Sequence, residues 1–383
     1  ATQRWSFRGA AVAAALKKSR GKLALSALDK KPQPLWADLS FLAHFLDAFM
    51  DINGGEIYRS LQVMHLGLQH LSSNLPGGLS EVESAALARG RDTFQAGMEL
   101  FRKFQRTFAE IDSYDGSAEL IGLLPYLKRL RRVLQGLEVG GAVILPAGWG
   151  CGDFLIRQYM CLVLERVAQD SYRLAVFGFG PSREYHPKTA GMPPKIKYRP
   201  LVFDDLPAAK VLDEAWWALL YGTNLPDDQS KTSPALTYDF FLPWIAGKPL
   251  EAIREEQTKA TGDSAGLDWR TPTYGRDTNN FHRCLVDGLH YLLRRWGLSL
   301  PRTKLAKFHL RRAFLDMAAG DVKAVLEMGT SERTLLRMAC RQVAFTGSKL
   351  SKLESEPGKP LLDFAELSDL RKMLNEVEEK LLQ

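Results

Sequence analysis

Two residues in the middle of the chain have the types that thiol chemistry needs. Cys151 lies in "LPAGWGCGDF", residues 145–154, where an apolar run ends and a helical pattern begins. The partial positive charge at a helix start lowers the pKa of a thiol and so favours the nucleophilic thiolate. Such a thiol also needs a histidine within hydrogen-bonding reach; His186 is the nearest in sequence, and His282 and His290 are the alternatives. The spacing selects none of the three, so Cys151 and His186 remain candidate catalytic residues.

The tetrapeptide "GWGC" around Cys151 resembles the nucleophile motif of the papain-like proteases that process ubiquitin-like modifiers in autophagy and ufmylation. Those families also carry a downstream Asp-Pro-His motif, which this sequence lacks. Residues 142–293 resemble, over a longer stretch, the circularly permuted papain-like cysteine proteases, a superfamily that includes deubiquitinase-like enzymes. The resemblance is carried by the order of "PAGWGCGDFLI", "YRLAVFGFGPSREYH" and "TPTYGRDTNNFHRCLVDGLHYLL". It implies a papain-like core.

The residues that this family uses for catalysis are replaced in this chain. The expected histidine falls on Cys151–Asp153, the expected glutamine near Thr273, and the nucleophile near Asn279 or Asn280. Asparagine cannot attack as a thiolate does, and threonine lacks the amide that would complete an oxyanion hole. Cys284, about one helical turn further on, is either a substitute nucleophile or a buried residue of an apolar helix face. The resemblance therefore implies a catalytically degenerate enzyme.

The hydrophobic pattern predicts the elements that must position these residues. Helices are expected over residues 35–137, one of them opened by a capping box of Ser80 and Glu83 and the last of them kinked at Pro125. Three stretches predict strands: "EVGGAVILPAGW", "YRLAVFGFG" and "KIKYRPLVFDDL". The stretch "FLIRQYMCLVLERVAQ" between the first two predicts a helix, as do residues 208–222, 233–247 and 279–297.

These elements predict an α+β fold that is mostly helical, with a small central sheet resembling a papain-like core flanked by helical regions. The predicted domains are a basic arm over residues 1–34, a helical domain over 35–137, the α+β papain-like core over 138–300 and a helical region over 301–383.

Composition and charge exclude several classes of protein. No apolar run approaches the roughly 20 residues of a membrane-spanning helix. The four cysteines form no C-x-x-C pair and the seven histidines no H-x-x-x-H pair, so we expect neither a metal site nor a cofactor. Residues 1–31 hold eight basic residues and one acid, which equals the net charge of +7 for the chain. Such an arm resembles an organellar transit peptide, which predicts a mitochondrial location, with a cytoplasmic one as the alternative.

Basic residues outside the arm form two helical stripes and one loop cluster. In "YLKRLRRVL" the cations lie opposite the apolar face of Leu127, Leu130 and Leu134; they are Lys128, Arg129, Arg131 and Arg132. In "PRTKLAKFHLRR" no acid accompanies Arg302, Lys304, Lys307, Arg311 and Arg312. The loop contributes Arg183, Lys188, Lys195, Lys197 and Arg199, interleaved with Tyr185 and Tyr198. Cations with interleaved aromatic rings are typical of single-stranded RNA binding.

The sequence therefore predicts a non-catalytic RNA-binding subunit of a mitochondrial RNA-processing complex. The expected partners are RNA and other protein subunits, a related paralogue among them, with no membrane. No RNP1, KH, zinc-knuckle or P-loop signature specifies the mode of binding. A thiol hydrolase acting on a peptide or ubiquitin-like substrate through Cys151, and a pure protein–protein scaffold, are the alternatives.

Overall fold

A computed structural model describes residues 57–74, 79–111, 123–149, 158–178, 180–189, 197–222, 234–259, 269–270 and 281–325. These residues confirm the predicted fold class: they are mostly helical and contain a small four-stranded antiparallel sheet. The predicted arm, Cys151, Lys195 and the chain after residue 325 lie outside the described residues. Within the described segments, no helix combines the length and the apolar content that crossing a bilayer requires.

Three helices precede the sheet: α1 (Ile57–Ser73), α2 (Glu81–Ile111) and α3 (Leu124–Gln135). The predicted capping box is confirmed at the start of α2. The Ser80 amide donates to Glu83 Oε2 at 2.8 Å, and the Glu83 amide donates to Ser80 Oγ at 3.3 Å. The predicted kink at Pro125 is wrong, because this proline lies in the first turn of α3. Its missing N–H would have no intrahelical acceptor there, so proline helps to begin the helix.

The strands are, in chain order, β1 (Ala142–Trp149), β2 (Gln158–Ala168), β3 (Ser171–Gly178), β4 (Lys188–Thr189), β5 (Lys197–Tyr198), β6 (Leu201–Pro207) and β7 (Trp269–Arg270). The main sheet has the order β1-β2-β3-β6, with every neighbouring pair antiparallel. The short strands β4, β5 and β7 form a separate ribbon. A short 3-10 helix, Gly180–Tyr185, leads from β3 towards β4.

The helix expected from "FLIRQYMCLVLERVAQ" is wrong, because these residues form strand β2. Along β2, Cys161 and Val163 are buried on one face of the sheet, and Leu162 and Leu164 are buried on the other. A strand covered on both faces has a continuous apolar run instead of an alternating one, and such a run does not differ from a buried helix in its pattern.

The remaining helices are α4 (Ala208–Val211), α5 (Glu214–Gly222), α6 (Leu242–Ala246), α7 (Leu250–Lys259), α8 (Phe281–Arg295) and α9 (Leu300–Val325). They confirm the helices predicted near residues 208–222, 233–247 and 279–297, and α9 confirms helix after residue 301. A π-helical segment, Leu236–Phe241, leads directly into α6.

Two hydrophobic cores cover the two faces of the main sheet. The first core contains residues of α1, α2, α8 and α9, and the second contains residues of α3, α5, the π-helical segment, α6 and α7. The first core joins elements on both sides of the boundaries expected at residues 138 and 301. For example, Phe314 of α9 lies directly against Gly67 of α1. The helices before and after the sheet are therefore layers on the sheet.

The close approach of α2 to the sheet gives a test of this packing. A Cβ at Gly97 would overlap the backbone carbonyl oxygen of Ile144 in β1, whereas at Gly90 it would lie 3.2 Å from a flexible Leu289 methyl group. We expect Gly97→Ala to lower the free energy of unfolding by about 2 kcal/mol, and Gly90→Ala to change it by less than about 1 kcal/mol. Urea unfolding measures both, and equal losses would contradict the close approach.

Candidate functional site

The helix that was expected to activate Cys151 is replaced by a strand from Gln158 onwards. Trp149, at the end of β1, pairs with Gln158, at the start of β2, so the segment carrying Cys151 connects two antiparallel strands. The long helix whose start was to lower the thiol pKa is strand β2. The helix-dipole argument for a reactive Cys151 therefore loses its basis.

His186, the candidate base, is fully buried, and both of its ring nitrogens have partners. Nδ1 lies 3.2 Å from the carbonyl oxygen of Arg199, and Nε2 lies 3.0 Å from the hydroxyl of Tyr238. A carbonyl oxygen can only accept a hydrogen bond, so Nδ1 carries the ring proton and donates a hydrogen bond to the carbonyl oxygen of Arg199. Nε2 is then the acceptor, and the Tyr238 hydroxyl donates to it. No ring nitrogen remains for a thiol.

The hydroxyl of Ser182 extends this arrangement into a buried hydrogen-bonded chain. Ser182 is fully buried, and its hydroxyl is hydrogen-bonded to the Tyr238 hydroxyl. Because the Tyr238 hydroxyl already donates its proton to His186, it accepts this hydrogen bond from Ser182. Gly178, the last residue of β3, lies against these three hydrogen-bonded side chains. A Cβ there would be 2.8 Å from the Tyr238 oxygen and 3.2 Å from His186 Nε2, so only glycine leaves room for them. The chain fastens the 3-10 helix to the π-helical segment.

Burial determines the protonation of these groups. It lowers the pKa of His186 to about 4, with a smaller contribution from the nearby Arg254 charge, while the hydrogen bond to Arg199 acts in the opposite direction. Burial also raises the pKa of Tyr238. Both side chains are therefore neutral near pH 7. The Ser182–Tyr238–His186 hydrogen-bonded chain is a satisfied structural network, in which both ring nitrogens of His186 already have partners.

The two cysteines within the described residues, Cys161 and Cys284, are buried free thiols. Burial raises the pKa of each well above its usual value, so both stay protonated. The interpretation of Cys284 as a buried residue of the apolar helix face is confirmed. Of the alternative bases, His282 is buried and packs against the Phe314 ring, and His290 Nδ1 lies 3.5 Å from the Lys307 ammonium, which donates to it.

The basic face of α3 is built as the sequence predicts. Leu127, Leu130 and Leu134 are buried in the second core. All four cations on the opposite side are exposed: Lys128, Arg129, Arg131 and Arg132. Arg131 lies 3.4 Å from the Glu214 carboxylate, and in the described part of the chain the other three form no ion pair. This face is the candidate interface for an anionic partner.

Residues of the β2–β3 hairpin hold the carboxyl end of α3 against the sheet. The Tyr172 hydroxyl donates to the carbonyl oxygen of Leu134 at 2.9 Å. The Arg166 guanidinium donates to the carbonyl oxygens of Gln135 and Leu137 at 3.1 and 2.7 Å. These carbonyls lie at the end of α3 or just beyond it, where the regular hydrogen bonds of a helix stop, so the two side chains supply donors there. The hairpin therefore fixes the orientation in which α3 presents its cations.

The predicted stripe on α9 is not one continuous free face. Arg302 Nε lies 2.8 Å from the carboxylate of Glu83, which is only 3% exposed. Lys307 donates to His290, and Lys304 is exposed. The side chains of Arg311 and Arg312 lie outside the described residues. Arg302 and Lys307 thus have structural partners on neighbouring helices.

The loop cluster gives little evidence of an interface. The Arg199 guanidinium donates to the carbonyl oxygen of Gln257 at 3.2 Å, so it joins β5 and β6 to α7. The side chains of Arg183, Lys188 and Lys197, like the whole of Lys195, lie outside the described residues. Across the described segments, no group of three or more histidine, cysteine or acidic side chains is arranged to hold a metal ion.

Two exposed aromatic residues were not predicted from the sequence. Phe240 and Trp244 lie four residues apart where the π-helical segment continues into α6, and they are 64% and 52% exposed. The available signal was the run "FFLPWI", which has more large apolar side chains than one helix face can bury.

Comparisons with known proteins indicate neither a family nor a function for this chain. No protein-family model matches the chain, and no curated protein and no solved structure is significantly similar to it. The resemblance to circularly permuted papain-like proteases therefore stays a prediction.

The buried state of His186 predicts how stability depends on pH. An unfolded histidine binds its proton near pH 6.5, whereas folded His186 does so only near pH 4. The unfolded state therefore binds more protons between these values, so the free energy of unfolding falls as the pH drops from 6.5 to 4. Removing this group with His186→Gln should make that fall smaller by about 3 kcal/mol.

Urea unfolding at several pH values between 7 and 4 measures this difference. Tyr238→Phe is the control: it loses the two hydrogen bonds that the hydroxyl makes with His186 and Ser182, about 2 kcal/mol at pH 7, but keeps the titrating His186 ring. A pH profile of His186→Gln that runs parallel to the wild-type profile would contradict the account of His186.

Proposed function

We propose that this protein binds RNA phosphates through the basic face of α3 and acts as a non-catalytic subunit of a mitochondrial RNA-processing complex. The observation that carries the proposal is the exposure of Lys128, Arg129, Arg131 and Arg132 on one helix whose opposite face is buried. Within the described residues, Lys128, Arg129 and Arg132 form no ion pair, and such solvent-exposed cations are the groups that neutralise nucleic-acid phosphates.

The spacing of the α3 cations supports phosphate binding. Lys128 and Arg132 are four residues apart, which corresponds to about 6 Å along a helix axis. This length is comparable with the separation of successive phosphates in an extended strand, so neighbouring cations can contact neighbouring phosphates. Three of the four are arginines, whose planar guanidinium groups bind phosphate through two parallel hydrogen bonds.

The basic composition of residues 1–31 supports both the RNA partner and the mitochondrial location. These residues account for the whole net charge of +7, and they would add long-range attraction to any polyanion. The presence of other subunits remains a prediction. No described residue favours the thiol hydrolase, because His186 is neutral and fully bonded and the thiols of Cys161 and Cys284 are buried.

An affinity measurement over a salt series tests the proposal. The variant Lys128→Ala/Arg129→Ala/Arg132→Ala should bind a single-stranded RNA oligonucleotide at least about tenfold more weakly than the wild type. If each cation contacts one phosphate, the slope of log affinity against log salt should fall by about 2, since each single-strand contact contributes roughly 0.7. Fluorescence anisotropy with a labelled RNA measures both quantities.

The control variant Arg102→Ala/Lys210→Ala/Lys248→Ala removes the same number of exposed cations elsewhere on the surface. It should change the salt slope by less than the α3 variant does, since it leaves the α3 contacts in place. Equal effects would show that net charge, and not the α3 face, governs binding. A wild-type slope near zero would overturn RNA binding altogether.

A further inference from the structure

The rings of Phe240 and Trp244 form an apolar surface that no described element covers. They lie four residues apart and so project from the same side of the helical segment, and both are more than half exposed. The adjacent Tyr238, Leu242 and Ile245 are fully buried in the second core. Paired exposed aromatic rings on an ordered helix are typical of binding surfaces.

The backbone beneath these rings is anchored at several points. The indole N–H of Trp216 donates to the carbonyl oxygen of Phe241 at 2.8 Å. Lys210 donates to the carbonyl oxygen of Trp244 at 3.3 Å, and Tyr238 belongs to the buried chain with His186. The segment is π-helical, a conformation found frequently at functional sites. The backbone that carries the rings is therefore held in place, which lowers the entropic cost of binding to them.

The charges beside the rings indicate what kind of partner fits. The Tyr185 and Tyr238 rings are stacked with centroids 4.6 Å apart, which brings their chain neighbours Glu184 and Asp239 to the same part of the surface. Partial burial, and then the nearby carboxylates of Glu251 and Glu184, raise the pKa of Asp239. Within the segments that the structure describes, none of these three acids forms an ion pair. These three carboxylates outnumber the one exposed cation of the described chain that contacts this segment, Lys210, so the surface repels RNA phosphates and attracts lysine and arginine. The surface therefore favours a basic protein segment with apolar side chains over RNA.

We propose that residues 1–34 of this chain dock on the surface formed by Phe240, Trp244, Glu184, Asp239 and Glu251, hereafter the acidic aromatic surface. Residues 1–34 combine eight basic residues and a single acid with Trp5, Phe7 and the run "AAVAAAL". Their charge is complementary to the three carboxylates, and their apolar side chains suit the two exposed rings. The inference does not depend on RNA binding.

The chain is long enough for this contact. The first described helix, α1, belongs to the first core, whereas the acidic aromatic surface lies over the second core, on the other side of the sheet. Residues 35–56 connect residues 1–34 to α1; these 22 residues span about 33 Å as the expected helix, and residues 1–34 can add up to about 110 Å when extended. A folded unit of this size is about 50 Å across, so residues 1–34 can reach around the edge of the sheet.

Site-specific photo-crosslinking in the full-length chain tests the docking. The variant Phe240→p-benzoylphenylalanine keeps an aromatic ring at the centre of the surface. After irradiation, we expect its crosslinks to fall within residues 1–34 of the same chain, with a yield that does not depend on protein concentration. Peptide mass spectrometry on a mixture of isotopically labelled and unlabelled chains separates crosslinks within one chain from those between copies.

Val82→p-benzoylphenylalanine is the matched control. Val82 is 61% exposed, close to the value for Phe240, and it also neighbours two acids, but it lies at the start of α2. It should give few crosslinks to residues 1–34. Crosslinking of Phe240 mainly to a second copy, to added RNA, or to no part of residues 1–34 would overturn the proposal, as would equal yields from both positions.

A charge variant tests the electrostatic part of the proposal. Combining Glu184→Gln, Asp239→Asn and Glu251→Gln with the crosslinker at Phe240 should reduce the yield at least about threefold, because several weak exposed ion pairs are lost together. Raising the salt concentration should act in the same direction on the unsubstituted acids. A yield that responds to neither change would show that charge does not direct residues 1–34 to this surface.

Discussion

Strand β2 must bury both of its faces, and the helices lie where they cover those two faces. Cys161 and Val163 require a layer on one side, supplied by α1, α2, α8 and α9, and Leu162 and Leu164 require one on the other, which includes α3. The acid of this strand, Glu165, is also nearly buried, and Arg173 and Arg295 lie 3.3 and 3.5 Å from its carboxylate. A buried carboxylate needs such partners, because an unpaired buried charge strongly destabilises a fold.

The same constraint explains why the predicted basic residues differ in what they can bind. Helix α9 packs on the first core, where its cations meet other helices, and Arg302 is paired with the buried Glu83. Helix α3 is fastened at its carboxyl end by Arg166 and Tyr172, and its leucines fill the second core, so its cations point outwards. A stripe without acids in the sequence can still have acidic partners in space, and only the layer arrangement separates the two cases.

Local patterns predicted local features well. The capping box of Ser80 and Glu83 and the amphipathic face of α3 depend on residues within one or two turns, and both are present. The identity of β2 was not predictable from periodicity, because burial on both faces removes the alternation. The partners of His186 could not be predicted either, because Tyr238 lies 52 residues further along the chain and nothing in the local sequence indicates that the two rings meet.

Native-state hydrogen exchange of the β2 amides tests most directly whether this doubly buried strand organises the fold. The account predicts that the amides of Met160–Leu164 exchange only through global unfolding, with the same free energy that urea unfolding gives, and that core amides of α1 and α9 belong to the same cooperative unit. Exchange of these β2 amides at a lower free energy than those of α3 or α9, or independent opening of α1 and α2 as a separate domain, would contradict it.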